Sequence, residues 1–175
     1  MNSILNSLKK RDERVLRFFN DYIKCNELDF LMPKITYLGS IPFSYIFCAA
    51  LLCIPNKTTR NIGLKCSISL VISSIVAIII KKTINRERPF LILKNLNIKK
   101  IHIDAYSFPS GHTTMAFSIG IMLSLCLPHL DYIFILLSLA VGISRMYIGV
   151  HYPTDVIMGM IIGTLCSYAT YYFIL

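Results

Sequence analysis

Charge is missing from long stretches of this sequence. Residues 35–54 carry none over 20 positions, residues 105–128 carry none, and residues 156–175 again carry none over 20; residues 62–80 carry only Lys65. A helix needs about 20 apolar residues to cross a bilayer. Uncharged runs of this length call for lipid, or a much larger protein, around them. That argues against a soluble helical bundle, and 55% hydrophobic content over 175 residues points the same way. Paired cysteines are missing too. Cys25, Cys48, Cys53, Cys66, Cys126 and Cys166 include no CxxC, and most fall inside apolar runs. They read as small buried hydrophobes, which excludes a disulfide framework and a zinc ribbon. Residues 1–19, "MNSILNSLKKRDERVLRFF", lack an uninterrupted apolar core, so no cleavable signal peptide is expected and the first span directs insertion. Acidic residues are few, 9 against 18 basic, for a net charge of +9. Such a charge can attract nucleic acid. Here the cations flank apolar spans, so the bilayer and lipid phosphates are the expected partners, and nucleic acid is not. No internal repeat or low-complexity segment divides the chain, and no feature reports an oligomeric state.

The apolar runs, with residues 132–150 as a fifth that ends near Arg145, predict five transmembrane helices. Residues 3–24 differ in kind. Ile4, Leu8, Val15, Phe19, Tyr22 and Ile23 recur near helical spacing, while Lys9, Lys10, Arg11, Arg14 and Arg17 occupy the other faces. This predicts a basic amphipathic helix in the headgroup plane, which can also pack on the bundle. The predicted architecture is an all-α integral membrane protein, with an interfacial helix at 1–27 and a transmembrane domain at 28–175. The one long connection, 82–108, is polar and basic, and loops of that length in a compact fold are usually functional or disordered. Pro109 and Pro153 sit where each would start a helix. Five crossings place 82–108, 150–153 and the N-terminal helix on one face, with the 55–61 and 128–131 turns on the other.

Three stretches meet on that face: "KKTINRERP" (81–89), "PSGH" (109–112) and "SRMYIGVHYPTD" (144–155). Lys81, Arg88 and Arg145 are three cations aimed at one small volume, which suits an anion. The guanidinium fork matches phosphate oxygens in pairs. "PSGH" opens a helix, so amides near Ser110 and Gly111 and the helix dipole favour a negative ligand. His151 precedes Asp155 by four residues, and Asp155 falls in the first turn of a helix. A carboxylate on one imidazole nitrogen leaves the other to attack phosphorus. His112, on another helix, can protonate the departing oxygen and then activate water. His102 and His129 belong to no motif. Lys82, Arg86, Lys94, Lys99 and Lys100 read as a solvated or lipid-facing basic surface.

The set Lys81-x6-Arg88-Pro89, Pro109-Ser110-Gly111-His112 and Ser144-Arg145-x5-His151-x3-Asp155 resembles the signature of the type 2 phosphatidic acid phosphatase (PAP2) superfamily, at every motif position. The resemblance implies a PAP2-like helical bundle acting as a membrane lipid phosphatase through a phosphohistidine. It makes His151 the nucleophile, Asp155 its orienter and His112 the acid and base, with Lys81, Arg88, Ser110, Gly111 and Arg145 binding phosphate. It implies no metal and no cofactor. A polyprenyl diphosphate such as undecaprenyl diphosphate is the expected substrate, with phosphatidylglycerophosphate or phosphatidic acid as alternatives. Other readings are a zinc site on His112, His151 and Asp155, a vanadate-dependent haloperoxidase, and a non-enzymatic lipid-binding or transport protein. Three adjacent cations oppose the first, lipid spans the second, and an intact nucleophile, orienter and acid the third. Many bacterial members have six spans, whereas five are expected here. Basic residues favour the cytoplasmic side. Lys9, Lys10, Arg11, Arg14, Arg17, Lys24, Lys34, Lys82, Arg86, Lys94, Lys99 and Lys100 on the catalytic face, against Lys57, Arg60 and Lys65, place the N-terminus and the site in the cytoplasm.

Overall fold

The computed structural model describes residues 2–98 and 106–174, with side chains from residue 7 onward. Lys99, Lys100, His102, Leu175 and the Ile4 side chain lie outside that description. Among the described residues every regular element is a helix. α1 (Asn2–Arg17) continues through a π-helical turn (Phe18–Tyr22), and α2 (Asn26–Tyr37) and α3 (Ile41–Cys53) follow. Then come α4 (Lys57–Ile84), the single turn α5 (Pro89–Ile92), α6 (Gly111–Cys126), α7 (Asp131–Tyr147) and α8 (Pro153–Ala169).

Three segments are long and apolar enough to cross a membrane: Lys57–Ile92, Pro128–Tyr147 and Pro153–Ile174. A fourth forms if α2 and α3, bent by 54°, make one broken span. The charge-free run 35–54 is therefore not one straight helix. It breaks at Leu38–Ser40, where Ser40 caps α3 by accepting from the Phe43 N–H at 3.4 Å and Pro42 occupies the first turn. α6 has only 16 residues and stays below the length for a span, so five crossings are not reached by length and composition. Its start is Gly111 rather than Pro109, because Ser110 serves as the cap.

α6 lies at the centre, packed on α4, α7 and α8. The α6–α8 approach depends on two glycines one helical turn apart. A Cβ on Gly163 would lie 2.6 Å from the Thr114 carbonyl oxygen, and one on Gly159 would lie 2.8 Å from that of Ser110. This small-xxx-small face lets the backbones touch, as expected where lipid supplies no hydrophobic drive between helices. Hydroxyls add cross-links: Ser69 lies 2.8 Å from Ser118 and 3.0 Å from Ser167, and Ser167 donates to the Ser118 carbonyl at 2.7 Å. Cys48, Cys66, Leu70, Ile119, Met122 and Leu123 fill the apolar core between them. No described cysteine is in a disulfide.

α1 docks on the bundle by one face. Asp12, Leu16 and Asn20, at i, i+4 and i+8, are buried, whereas Leu8, Val15, Phe18 and Tyr22 stay exposed. Leu16 and Phe19 pack with Met146, Tyr152 and Val156. Asn20 donates to the Tyr147 carbonyl at 2.7 Å and accepts from the Asn97 N–H at 2.8 Å. The helix is therefore seated on the bundle while its outward apolar side remains available to an interface.

Candidate active site

The α8 entrance builds the histidine pair by local geometry. Pro153 opens α8 and Asp155 sits at its third position, where Oδ2 reaches back to accept from the Tyr152 N–H at 2.8 Å. That same oxygen faces Nδ1 of His151 at 3.5 Å, an ion-pair separation rather than a short hydrogen bond. Catalytic contacts of this kind commonly tighten in the Michaelis complex. On the other side of the ring, Nη1 of Arg88 lies 3.3 Å from Nε2 and donates to the Val150 carbonyl at 2.9 Å. A guanidinium only donates. Its contact therefore reads Nε2 as the acceptor and puts the ring proton on Nδ1, toward the carboxylate. His151 is 1% exposed and Arg88 2%, so this geometry is held in the interior.

"PSGH" is fastened directly to that turn. The Ser110 N–H donates to the Asp155 carbonyl at 3.0 Å, so this amide is committed to the fold rather than left for a ligand as the sequence suggested. Gly111 opens α6, and the first amides of a helix have no acceptor within it. The space where a Gly111 Cβ would point is open, with nothing within 4 Å. His112 follows, partly buried. A Cβ on Gly39 would sit 2.5 Å from the His112 carbonyl oxygen, so the α2–α3 break packs directly beneath it. Oγ of Ser110 accepts from the Thr113 hydroxyl at 2.9 Å.

Arg145, 1% exposed, ends α7. Its Nη1 donates to Oγ1 of Thr36 at 2.9 Å, and its carbonyl accepts from the Val150 N–H at 3.2 Å. Ser144 turns back to the Val141 carbonyl at 2.6 Å and stays within its own helix. Lys81 is in the last turn of α4, partly buried, just before Asn85 closes that helix in the left-handed region with φ 49°. Direct contacts thus join Arg88, Ser110, His151 and Asp155; Gly111 and His112 follow on the Ser110 turn, and Arg145 anchors the segment that ends at Val150. Among the described residues no group of three or more His, Cys, Asp or Glu side chains is placed to hold a metal ion.

Two partners escaped the sequence reading, and one was misread. Arg86 is not part of a solvated basic surface: it pairs with Asp155 and Asp12, each at 2.8 Å. Asp12 and Thr36 had no motif to mark them. A signal for Asp12 existed, the Asp12–Leu16–Asn20 spacing of a single helix face. Thr36 had none, because its partner is 109 residues away.

The assembly offers a buried imidazole with one nitrogen turned to a carboxylate and the other to a guanidinium, and beside it an open helix start that carries a second histidine. Such a set can hold a tetrahedral oxyanion and attack it. Residues 63–175 match the family model of the PAP2 superfamily. The chain is 33% identical over 153 residues to the bacitracin transport permease protein BcrC of Bacillus licheniformis, covering 86% of this chain and 74% of that protein. It is 32% identical over 149 residues to the undecaprenyl-diphosphatase of Sulfolobus acidocaldarius, covering 83% and 72%. The crystal structure of Aquifex aeolicus LpxE superposes with a TM-score of 0.79 at 27% identity, covering 91% of this chain and 94% of that one.

Proposed function

Because the chain belongs to the PAP2 superfamily, we propose that it is a membrane lipid phosphatase that removes the terminal phosphate of a polyprenyl diphosphate. The observation that carries this reading is the His151 ring held between Asp155 and Arg88, with "PSGH" fastened to the same turn. A relative named undecaprenyl-diphosphatase supports the choice of lipid.

In the proposed reaction Nε2 of His151 attacks the terminal phosphorus and the bond to the bridging oxygen breaks. His112 gives its proton to that oxygen, and the lipid monophosphate leaves. His112 then takes a proton from water, the water oxygen attacks phosphorus, and the P–N bond breaks to release inorganic phosphate. Lys81, Arg88 and Arg145 hold the non-bridging oxygens as charge shifts, with Gly111 at the helix start. Ser110 shapes that turn. Asp155 keeps the Nδ1 proton in place throughout.

Phosphate release from purified protein in detergent tests the reading. The panel is a polyprenyl diphosphate, the matching monophosphate, phosphatidylglycerophosphate and phosphatidic acid. The diphosphate is expected to turn over fastest, and EDTA to change the rate by less than about twofold, since fixed cations do the charge neutralisation that a metal would do. Release from none of the four would overturn the function; loss on chelation with recovery on added zinc would replace the mechanism with a metal-based one.

The Asp12–Arg86 pair supports a site on the same face as the N-terminal helix. We place that face in the cytoplasm on the charge bias. In a cysteine-free background, Lys57→Cys is expected to react with an impermeant maleimide in intact cells, and Lys94→Cys only after lysis. The reverse pattern would invert the orientation.

A further inference from the structure

Arg86 stands two residues before Arg88 and is held by partners on α1 and at the start of α8. Nη1 donates to Oδ1 of Asp155 at 2.8 Å and to the Thr154 hydroxyl at 2.7 Å. Nη2 donates to Oδ2 of Asp12 at 2.8 Å. The guanidinium carbon lies 4.0 Å from the centroid of the Tyr152 ring. Asp12, on α1, also accepts from the Thr154 N–H at 3.1 Å. The Asp12 and Asp155 side chains are 6% and 0% exposed, while Arg86 keeps a quarter of its surface. A buried carboxylate needs bonded partners. Here one fork serves two of them, which a lysine ammonium cannot reproduce.

The two oxygens of Asp155 have separate partners. Oδ1 is taken by Arg86, and Oδ2 takes the Tyr152 N–H and faces His151. Without Arg86 the carboxylate would keep the Tyr152 N–H on Oδ2 and the Ser107 hydroxyl as a polar neighbour, but would lose the guanidinium that fixes Oδ1 and with it the hold on its rotation. We propose that Arg86 and Asp12 are positioning residues for the hydrolysis proposed above, and in that respect the inference rests on that function. Arg86, clamped by Asp12 of the N-terminal helix, holds the Asp155 carboxylate in the rotation that aims Oδ2 at Nδ1 of His151. The N-terminal helix thereby bears on the geometry of His151 through Arg86 and Asp155, and its seating on the bundle becomes a condition of turnover.

The test combines kinetics with a signature that needs no substrate. In Arg86→Gln, kcat is expected to fall about 100-fold with KM within about threefold of wild type, because a misplacement of about 1 Å costs that much and no phosphate contact is lost. Arg86→Lys should recover only part of the loss. Asp12→Asn should lower kcat by about tenfold and add little in the Arg86→Gln background, the non-additivity expected of one network. Glu13→Gln, whose carboxylate pairs with Arg17 along the same helix at 3.1 Å, should stay within about twofold. In ¹⁵N-histidine-labelled protein in detergent, with His151 assigned against His151→Gln, the wild type should show the neutral tautomer protonated on Nδ1. Arg86→Gln should shift or broaden those signals.

A raised KM with kcat retained would make Arg86 a substrate ligand and overturn the proposal. So would a lower kcat with the His151 signals unmoved, which would leave Arg86 a merely structural role. If the wild type releases phosphate from no lipid while Arg86→Gln still moves the His151 signals, the hydrolytic reading fails and the clamp stands.

Discussion

Replacing His151 with alanine is expected to lower phosphate release by about 10⁴-fold or more, the scale on which removing a nucleophile or its base acts in hydrolases. The reason is that no other described group can substitute. Nε2 of His151 is the imidazole nitrogen that Arg88 approaches, at 3.3 Å, and the opposite nitrogen is turned to Asp155. His112 sits on a different helix, and its role in the second step needs its own nitrogen for water. His129 is in the Pro128–Leu130 turn that leads into α7, at the opposite end from the site, and is exposed. Removing the ring also empties interior space around a side chain that is 1% exposed, so helical content and monodispersity in detergent must be measured beside activity. His151→Gln keeps more of the side-chain volume and should be as inactive. Residual turnover within about tenfold of wild type in a folded His151→Ala protein would remove the assignment, because positioning and electrostatics alone do not supply that much.

The same local rule that makes the site work made much of it readable. His151 and Asp155 are four apart, across a proline that starts a helix, and that spacing alone returns a carboxylate to an imidazole. "PSGH" announces a helix start for the same reason. Long-range closure is another matter. The Arg86–Asp155 pair spans 69 residues and the Arg145–Thr36 bond spans 109, and nothing in one sequence links such positions. Arg86 was hidden further by its surroundings, since a cation in a basic loop looks like surface until the fold supplies two carboxylates. The break at Leu38–Ser40 was masked differently. An uncharged run of 20 residues satisfies a straight span and a bent one equally, and only the contact of Gly39 with the His112 backbone shows why the chain turns there. Burial of Asp12 on a helix read as amphipathic has the same origin: its partner Arg86 is 74 residues away, and the docked face joins that ion pair to the apolar packing of Leu16.

Replacing His112 with alanine is expected to separate the two halves of the reaction. General acid and base groups contribute about 10² to 10⁴-fold, so steady-state turnover of the lipid should fall by that order. The loss should not be uniform across substrates. A leaving group that departs without protonation, such as a nitrophenolate, leaves the first step largely intact, because Nε2 of His151 and the guanidinium groups are untouched. The second step still requires water to lose a proton, and His112 is the group at the head of α6 that the mechanism assigns to that task. Phosphate should therefore accumulate on the protein in quenched single-turnover experiments with the activated substrate. The adduct should be labile in acid and stable in base, as a phosphorus–nitrogen bond is, and should be absent from His112→Ala/His151→Ala. The position beside Gly111 is open to the rest of the fold, with no atom beyond its own chain neighbours and helix backbone within 4 Å of where a Cβ would point, and the variant leaves it so. If no protein-bound phosphate appears while the activated substrate is still consumed, water attacks phosphorus directly, and the two-step route through His151 is wrong even if His151→Ala is inactive.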